Sequence, residues 1–250
     1  MTAFDIVFEI RGYELDAEGK VPAYGFLRYM EHLRWEHTIR DLPEITALFR
    51  KGNAFVVVAQ TLRVTRDTGR SSPIRGSLWI VRAGRTSIVF HHAFHRVDDG
   101  ELFAAGSTTA VYLSPGGMPA PLPDCLVQTD PDPEWMPDLN APKFGEISPA
   151  QFEYSYRVRA GDLDFLGHMN QASYAAIFDD TRQAAANCNA YGTAGMGIGR
   201  IRLLHVEYLH PAMMGEKLAV ATWTTPNNPP DLMFAMRRND TLISRAVIRI

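Results

Sequence analysis

The sequence predicts an α+β chain built as two copies of one unit, each a curved antiparallel sheet wrapped around a long central helix. Three observations predict it. A strand, an acidic turn, a helix and then a run of strands occur twice in that order. Between the two runs, residues 115–149 hold nine of the chain's sixteen prolines together with Gly116 and Gly117. A gap-free shift of 148 residues lays Phe4 on Phe152, Arg11 on Arg159, Leu15 on Leu163, Asp16 on Asp164, Gly19 on Gly167 and Arg34 on Arg182, six identities in 32 positions. The predicted organisation is therefore a first unit over 1–114, a linker over 115–149 and a second unit over 150–250.

Each element follows from local pattern. Phe4, Ile6, Phe8 and Ile10 alternate with Asp5, Val7, Glu9 and Arg11, the period of a half-buried strand. After the turn through Asp16, Glu18 and Gly19, Pro22 stands where proline favours a first helical turn, and Phe26, Met30, Leu33 and His37 mark one helical face to about Arg40. A second helical piece covers 44–50. Strands are expected over 54–65, 74–81, 87–97 and 102–113, the last two joined by the Asp98-Asp99-Gly100 turn. Proline removes ladder donors, so 115–149 is read as an extended surface linker, anchored by Leu122, Leu126, Trp135 and Met136. In the second unit a strand over 152–159 leads to a helix over 170–188. Strands over 201–210, 217–224, 232–238 and 241–250 follow.

Composition narrows the functional classes. The chain has 250 residues, 46% apolar and 21% charged, the profile of a globular protein. A formal net charge of −3 argues against bulk nucleic-acid binding, which usually needs a basic domain. Cys125 and Cys188 are too few for a disulfide framework or a cysteine metal site, and no metal or cofactor is expected. No run is long and apolar enough to span a bilayer. The start lacks a basic stretch followed by an apolar one, which makes the cytoplasm the default location.

The chemistry is placed at Asp162-Leu-Asp164-Phe-Leu-Gly167-His168-Met-Asn170 and the helix after it. A carboxylate and an imidazole stand four residues apart, beside the unpaired amides of a helix start. Hydrolytic chemistry at such a site needs an activated water or a carboxylate nucleophile, and donors aimed at the oxygen where negative charge develops. The helix N-terminus offers such donors. Asp164 can act as base or nucleophile, or can merely shape the turn, as the aligned Asp16 does beside Lys20. His168 orients water or donates toward the substrate, or else is a turn histidine. Asn170 is a catalytic candidate and also an obvious helix N-cap. Asp162 is expected to cap or face solvent, and Asp179 to lie on a solvated helix face.

Other candidates are read as inert. His91, His92 and His95 lie along one strand, and only His91 and His95 share a face. Glu31-His32 and Glu36-His37 lack the His-Glu-x-x-His spacing of zinc peptidases. Gly192, Gly195, Gly197 and Gly199 precede a strand and do not open a helix, so no dinucleotide fingerprint is present. Six arginines (63, 66, 70, 75, 82 and 85) fall within 23 residues beside one acid, Asp67. They are read as a solvated hairpin or as a docking surface for phosphates or an acidic carrier.

Gly161-Asp-x-Asp164-x-x-Gly-His168-x-Asn170-x-x-x-Tyr174, then Phe178-Asp179-x-x-Arg182, Val206-Glu-Tyr-Leu-His-Pro211 and Gly215-Glu216-x-Leu218, resemble the hotdog-fold thioesterases of the 4-hydroxybenzoyl-CoA thioesterase type. Asp16-Ala-Glu-Gly-Lys-Val-Pro22 and Leu27-Arg-Tyr-Met-Glu31 resemble the leading half of acyl-ACP thioesterases, which are double hotdogs in one chain. The resemblance implies a tandem hotdog that cleaves an acyl-CoA or acyl-carrier-protein thioester. Within it Asp164 is base or nucleophile, Gly167 and Tyr174 contact substrate, and Phe26, Tyr29 and Met30 wall the acyl pocket. It also implies a pseudo-dimer within one chain, with further self-association open. Two departures stand out. Plant-type enzymes carry Asp-x-Asn-x-His, where this chain has Leu166 in the middle, and their later Glu-Cys pair falls near Pro211-Ala212. A hotdog enoyl-thioester hydratase and a non-catalytic acyl-binding protein are the alternatives.

Overall fold

The first unit begins with strand β1 (Phe4–Phe8) and a 3-10 turn over Gly12–Glu14, followed by helices α1 (Ala23–Asp41) and α2 (Pro43–Arg50). Strands β2 (Ala54–Val64), β3 (Ile74–Ala83), β4 (Ser87–Arg96) and β5 (Leu102–Leu113) complete it. This computed structural model describes residues 3–70, 73–126, 133–145, 147–192 and 197–250. The strands run β1-β3-β4-β5-β2 across an antiparallel sheet. On α1, Phe26, Met30 and Leu33 recur at helical spacing and are fully buried. Phe26 meets Phe94 with ring centroids 5.5 Å apart.

The helix can approach this sheet because two strand positions lack side chains. A Cβ on Gly106 would stand 2.7 Å from Met30 Sδ, and one on Gly76 would stand 3.1 Å from Leu33 and from Phe8. Gly106→Val is therefore expected to lower unfolding free energy by about 1–3 kcal/mol through overpacking. Urea denaturation checks it.

A polar group lies in the same interior. His92 is fully buried, with Nδ1 3.4 Å from the Gly106 carbonyl. Arg34 Nη1 donates to Thr108 Oγ1 at 3.0 Å, and Gln60 Nε2 donates to the same oxygen at 3.3 Å. Burial first, and then the Arg34 guanidinium, hold the His92 pKa well below the ordinary 6.5. The unfolded chain thus takes a proton below about pH 6.5 that the folded chain refuses. Stability should be complete above that pH and fall as pH drops toward the depressed value. His92→Leu should flatten this slope in urea midpoints measured between pH 7.5 and 5 (probe values). His91 and His95 point to the other face, where their rings meet Trp79 and Trp135 at centroid distances of 6.4 and 4.9 Å.

The second unit repeats the plan. Strand β6 (Phe152–Arg157), a 3-10 turn over Ala160–Asp162 and helix α3 (Gln171–Asn187) precede strands β7 (Leu203–Tyr208), β8 (Lys217–Thr224), β9 (Leu232–Arg238) and β10 (Thr241–Arg249). Its antiparallel order is β6-β8-β9-β10-β7, the order of the first unit element for element. The 148-residue shift lays the turn at Gly12–Glu14 on Ala160–Asp162 and the start of α1 on the start of α3. Phe178 of α3 packs on Phe234 of β9 with ring centroids 5.6 Å apart. On the other face of β8–β10, Trp223, Met233, Ala235 and Val247 form an apolar cluster against which Phe144 packs. Arg245 stands over the Phe144 ring at 4.0 Å.

The chain separates into units at Leu139/Asn140, within the proline-rich stretch. Its first part is not extended away from the sheet: Ser114 N donates to Met118 O, Ala120 N to Tyr112 O and Leu122 N to Arg85 O. Leu126 and Leu139 are buried. Four of the six arginines can be placed. Arg63 is held by Asp138, Arg66 pairs with Glu101 at 2.5 Å, and Arg75 and Arg82 sit toward opposite ends of β3.

Candidate active site

The turn between β6 and α3 is built by its own carboxylates. Asp164 Oδ1 accepts from Leu166 N at 2.8 Å and from His168 N at 3.3 Å, while Asp164 N donates to His168 O and Gly167 N donates to Asp164 O. Gly167 takes φ +80°, a conformation that favours glycine. The first unit has the same turn: Asp16 Oδ1 accepts from Glu18 N and Lys20 N, Gly19 N donates to Asp16 O, and Gly19 takes φ +72°. Asp164 and Asp16 therefore share the turn-shaping role. What differs is the company. His168 stands at the position of Lys20, and its side chain is exposed. Asp164 is half-buried, and its Oδ2 makes no hydrogen bond among the described residues, which leaves that oxygen to meet water.

Asn170 caps α3: its Oδ1 accepts from Ala172 N at 2.9 Å. Ser173 N and Tyr174 N donate to the Asn170 carbonyl. Of the first-turn amides, Gln171 N is the one without an acceptor among the described residues. The helix start thus offers fewer donors than its unpaired amides imply from sequence, because the cap consumes them. Beside that amide, the Gln171 side-chain Oε1 is buried with no hydrogen-bond partner among the described residues. Gln171 is a site candidate that the sequence did not single out, since nothing in its spacing separates it from an ordinary N1 residue.

Of the two flanking aspartates, Asp162 takes the capping role expected of it, and does so buried: its Oδ2 accepts from Arg159 N at the N-cap of the 3-10 turn and from Tyr156 Oη, both at 2.7 Å. Burial, with the Asp162 carboxylate next, pushes the Tyr156 hydroxyl up to about 12. Glu14 holds Arg11 N and Tyr29 Oη in the first unit, so the 148-residue alignment of Glu14 on Asp162 carried the signal for a structural acid. Asp179 is not on a solvated face. It is buried against Arg182, with Arg182 Nε and Nη2 both 2.7 Å from Asp179 Oδ1. Arg182 Nη1 donates to the carbonyls of Gly197 and Gly199. This pair ties the glycine-rich loop to α3; Gly195 lies outside the described residues.

Apart from Gly167, the substrate candidates are core residues. Tyr174 is buried, its hydroxyl accepts from Ala212 N at 2.9 Å and donates to His210 O at 3.3 Å, and burial pushes its pKa up to about 12. It clamps the loop after β7. Phe26, Tyr29 and Met30 lie inside the first unit, packed on each other, on Phe8 and Phe94, and on Gly106. A shallow depression in the second unit lies elsewhere, between Phe144, Ile147, Trp223, Met233 and Arg245. No candidate residue lines it. Among the described residues no three His, Cys, Asp or Glu side chains gather to hold a metal ion, and no helix is long and apolar enough to cross a membrane.

Whole-chain likeness decides the architecture. The 12:0-ACP thioesterase from Umbellularia californica matches with a TM-score of 0.78 at 15% identity, over 99% of this chain and 96% of that one. An acyl-ACP thioesterase from Bacteroides thetaiotaomicron matches with a TM-score of 0.79 at 13% identity, over 98% and 96%. The chain is a double hotdog. Within it, residues 158–241 match the family model of the thioesterase-like superfamily. That span of the second hotdog covers the Asp164 turn, α3 and β7 to β9, and reaches the start of β10. No curated protein matches the chain by sequence.

Proposed function

We propose that this double hotdog hydrolyses an acyl thioester, carried by coenzyme A or an acyl carrier protein, to free acid and thiol. The observation that carries the reading is the match of residues 158–241 to the thioesterase-like superfamily, a span that includes the Asp164–Asn170 turn. In this reading Asp164 Oδ2 activates a water or attacks the carbonyl carbon. His168, four residues on and exposed, orients that water, and Gln171 N donates to the developing oxyanion. Asn170 acts through its cap, which sets the direction of the first helical turn. Gly167 lets the turn close, and Tyr174 holds the facing loop.

A second reading, acyl binding without hydrolysis, is favoured by one observation. The hydrogen bonds of Asp164 are those of Asp16, so nothing in the turn itself requires a reagent. Thiol release from a panel of acyl-CoA and acyl-carrier substrates separates the two. Release above buffer by wild type, lost in Asp164→Asn, supports hydrolysis; saturable binding without release supports the second reading.

A further inference from the structure

The acidic turn and the 212–216 loop are joined at two particular residues. His168 and Met213 stand directly opposite each other as an antiparallel bridge, and the hydrogen bond beside them runs from Met169 N to Ala212 O at 2.8 Å. That bond flanks the pair and does not join it. Such a pair brings its facing side chains closest, with Cβ atoms about 4.5–5 Å apart on the same side of the backbone. The loop is fixed in this place: Ala212 N donates to Tyr174 Oη, Met213 N to Glu216 Oε2 and Gly215 N to Val158 O. The thioether of Met213 is therefore a standing neighbour of the His168 imidazole.

Both members of the pair meet solvent. His168 is exposed, and Met213 is 42% exposed. Met30, Met169, Met233 and Met236 are buried, where a thioether is shielded from a dissolved oxidant. Met213 and its neighbour Met214, 64% exposed, have no such shield, and in the first unit neither has Met118 at 67%. A peroxide transfers one oxygen to such a sulfur: the sulfur gives up two electrons, the O–O bond breaks, and water leaves. The product exchanges a weakly accepting thioether for a polar S=O group that accepts hydrogen bonds. At position 213 the donor facing that oxygen is an imidazole N–H of His168.

Resting on the thioester-hydrolase reading, we propose that Met213 is a peroxide-sensitive modification site that regulates turnover. Its sulfoxide oxygen accepts from the His168 imidazole and draws that donor away from the water or substrate it serves. The change is reversible, because methionine sulfoxide reductases return the thioether. Met214 is open to the same oxidant but stands one residue beyond the bridge, in the turn, so its sulfoxide forms outside the pair. It is the natural control.

The test treats wild type, Met213→Leu and Met214→Leu with hydrogen peroxide. Leucine is close to methionine in volume and has no sulfur to oxidise. Sulfoxides are located by peptide mass spectrometry, and turnover is read on an acyl N-acetylcysteamine thioester. The His168 ring resonances are followed by NMR, assigned through their loss in His168→Gln. The expected result in wild type is a sulfoxide at 213, displaced His168 resonances and turnover lower by about 3- to 10-fold, the worth of one diverted hydrogen bond. Methionine sulfoxide reductase should restore turnover; dithiothreitol, which recovers oxidised thiols such as the exposed Cys188, should not. Met214→Leu should respond as wild type does, and Met213→Leu should keep its turnover and its ring signals throughout. Met213 left unoxidised at a dose that converts Met118 overturns the proposal. Equal loss of turnover in Met213→Leu also overturns it, by assigning the effect to a thiol or another methionine. So does a sulfoxide at 213 that leaves the His168 resonances in place, or leaves turnover in an active enzyme unchanged. A wild type that hydrolyses nothing, yet whose His168 resonances move on oxidation only when Met213 is present, supports the site while removing the hydrolase reading.

Discussion

Asp164→Asn should lower thioester turnover by about 10²- to 10⁴-fold, the range for removing a positioned base, while the protein unfolds at nearly the wild-type temperature. Asp164 Oδ1 accepts from the amides of Leu166 and His168, and an asparagine carbonyl oxygen accepts from both. The turn is kept; the negative charge and the capacity to take a proton or attack carbon at Oδ2 are lost. The fall should appear in kcat more than in KM, because the carboxylate acts on the transition state. Asp16→Asn is the matched control, since Asp16 makes the same bonds in the first unit beside Lys20. It should leave turnover unchanged. Near-wild-type turnover in Asp164→Asn reduces Asp164 to a turn former and moves the base elsewhere.

Asp179→Ala should cost about 3–5 kcal/mol of stability, the largest effect expected from one substitution in α3. Both Asp179 and Arg182 are buried, and the substitution leaves a guanidinium inside the protein with, among the described residues, the carbonyls of Gly197 and Gly199 as its acceptors. Asp179→Leu with Arg182→Met together should recover most of the loss, because neither charge then stays behind. Urea unfolding of the single and double variants measures both. A single variant within 1 kcal/mol of wild type, a threshold set by the spread of surface substitutions, would show that the pair is solvated in solution. The same geometry bears on function: an aspartate held this way is a structural partner of Arg182.

Much of the fold was legible. Strand alternation at Phe4–Phe8 and Phe152–Arg157, and the helical spacing of Phe26, Met30 and Leu33, depend on neighbours in the chain, and these elements form where the periodicity places them. The duplication was legible because both copies must close the same strand–turn–helix junction, which keeps Asp, Gly and the first acid in register. Burial of individual acids was not. Asp162 and Asp179 lie on segments whose local pattern permits solvent exposure, and only Tyr156, Arg182 and the backbone brought to them from elsewhere account for their positions.

The sequence by itself determined the two-copy α+β plan, the helix and strand boundaries to within a few residues, and the asymmetry between His168 and Lys20, since all of these follow from residue type and spacing. Tertiary structure decided which acids are buried partners and which reach water, and that the Asn170 cap consumes most first-turn amides. Those outcomes depend on residues tens of positions apart becoming neighbours, and no local period encodes such a distance.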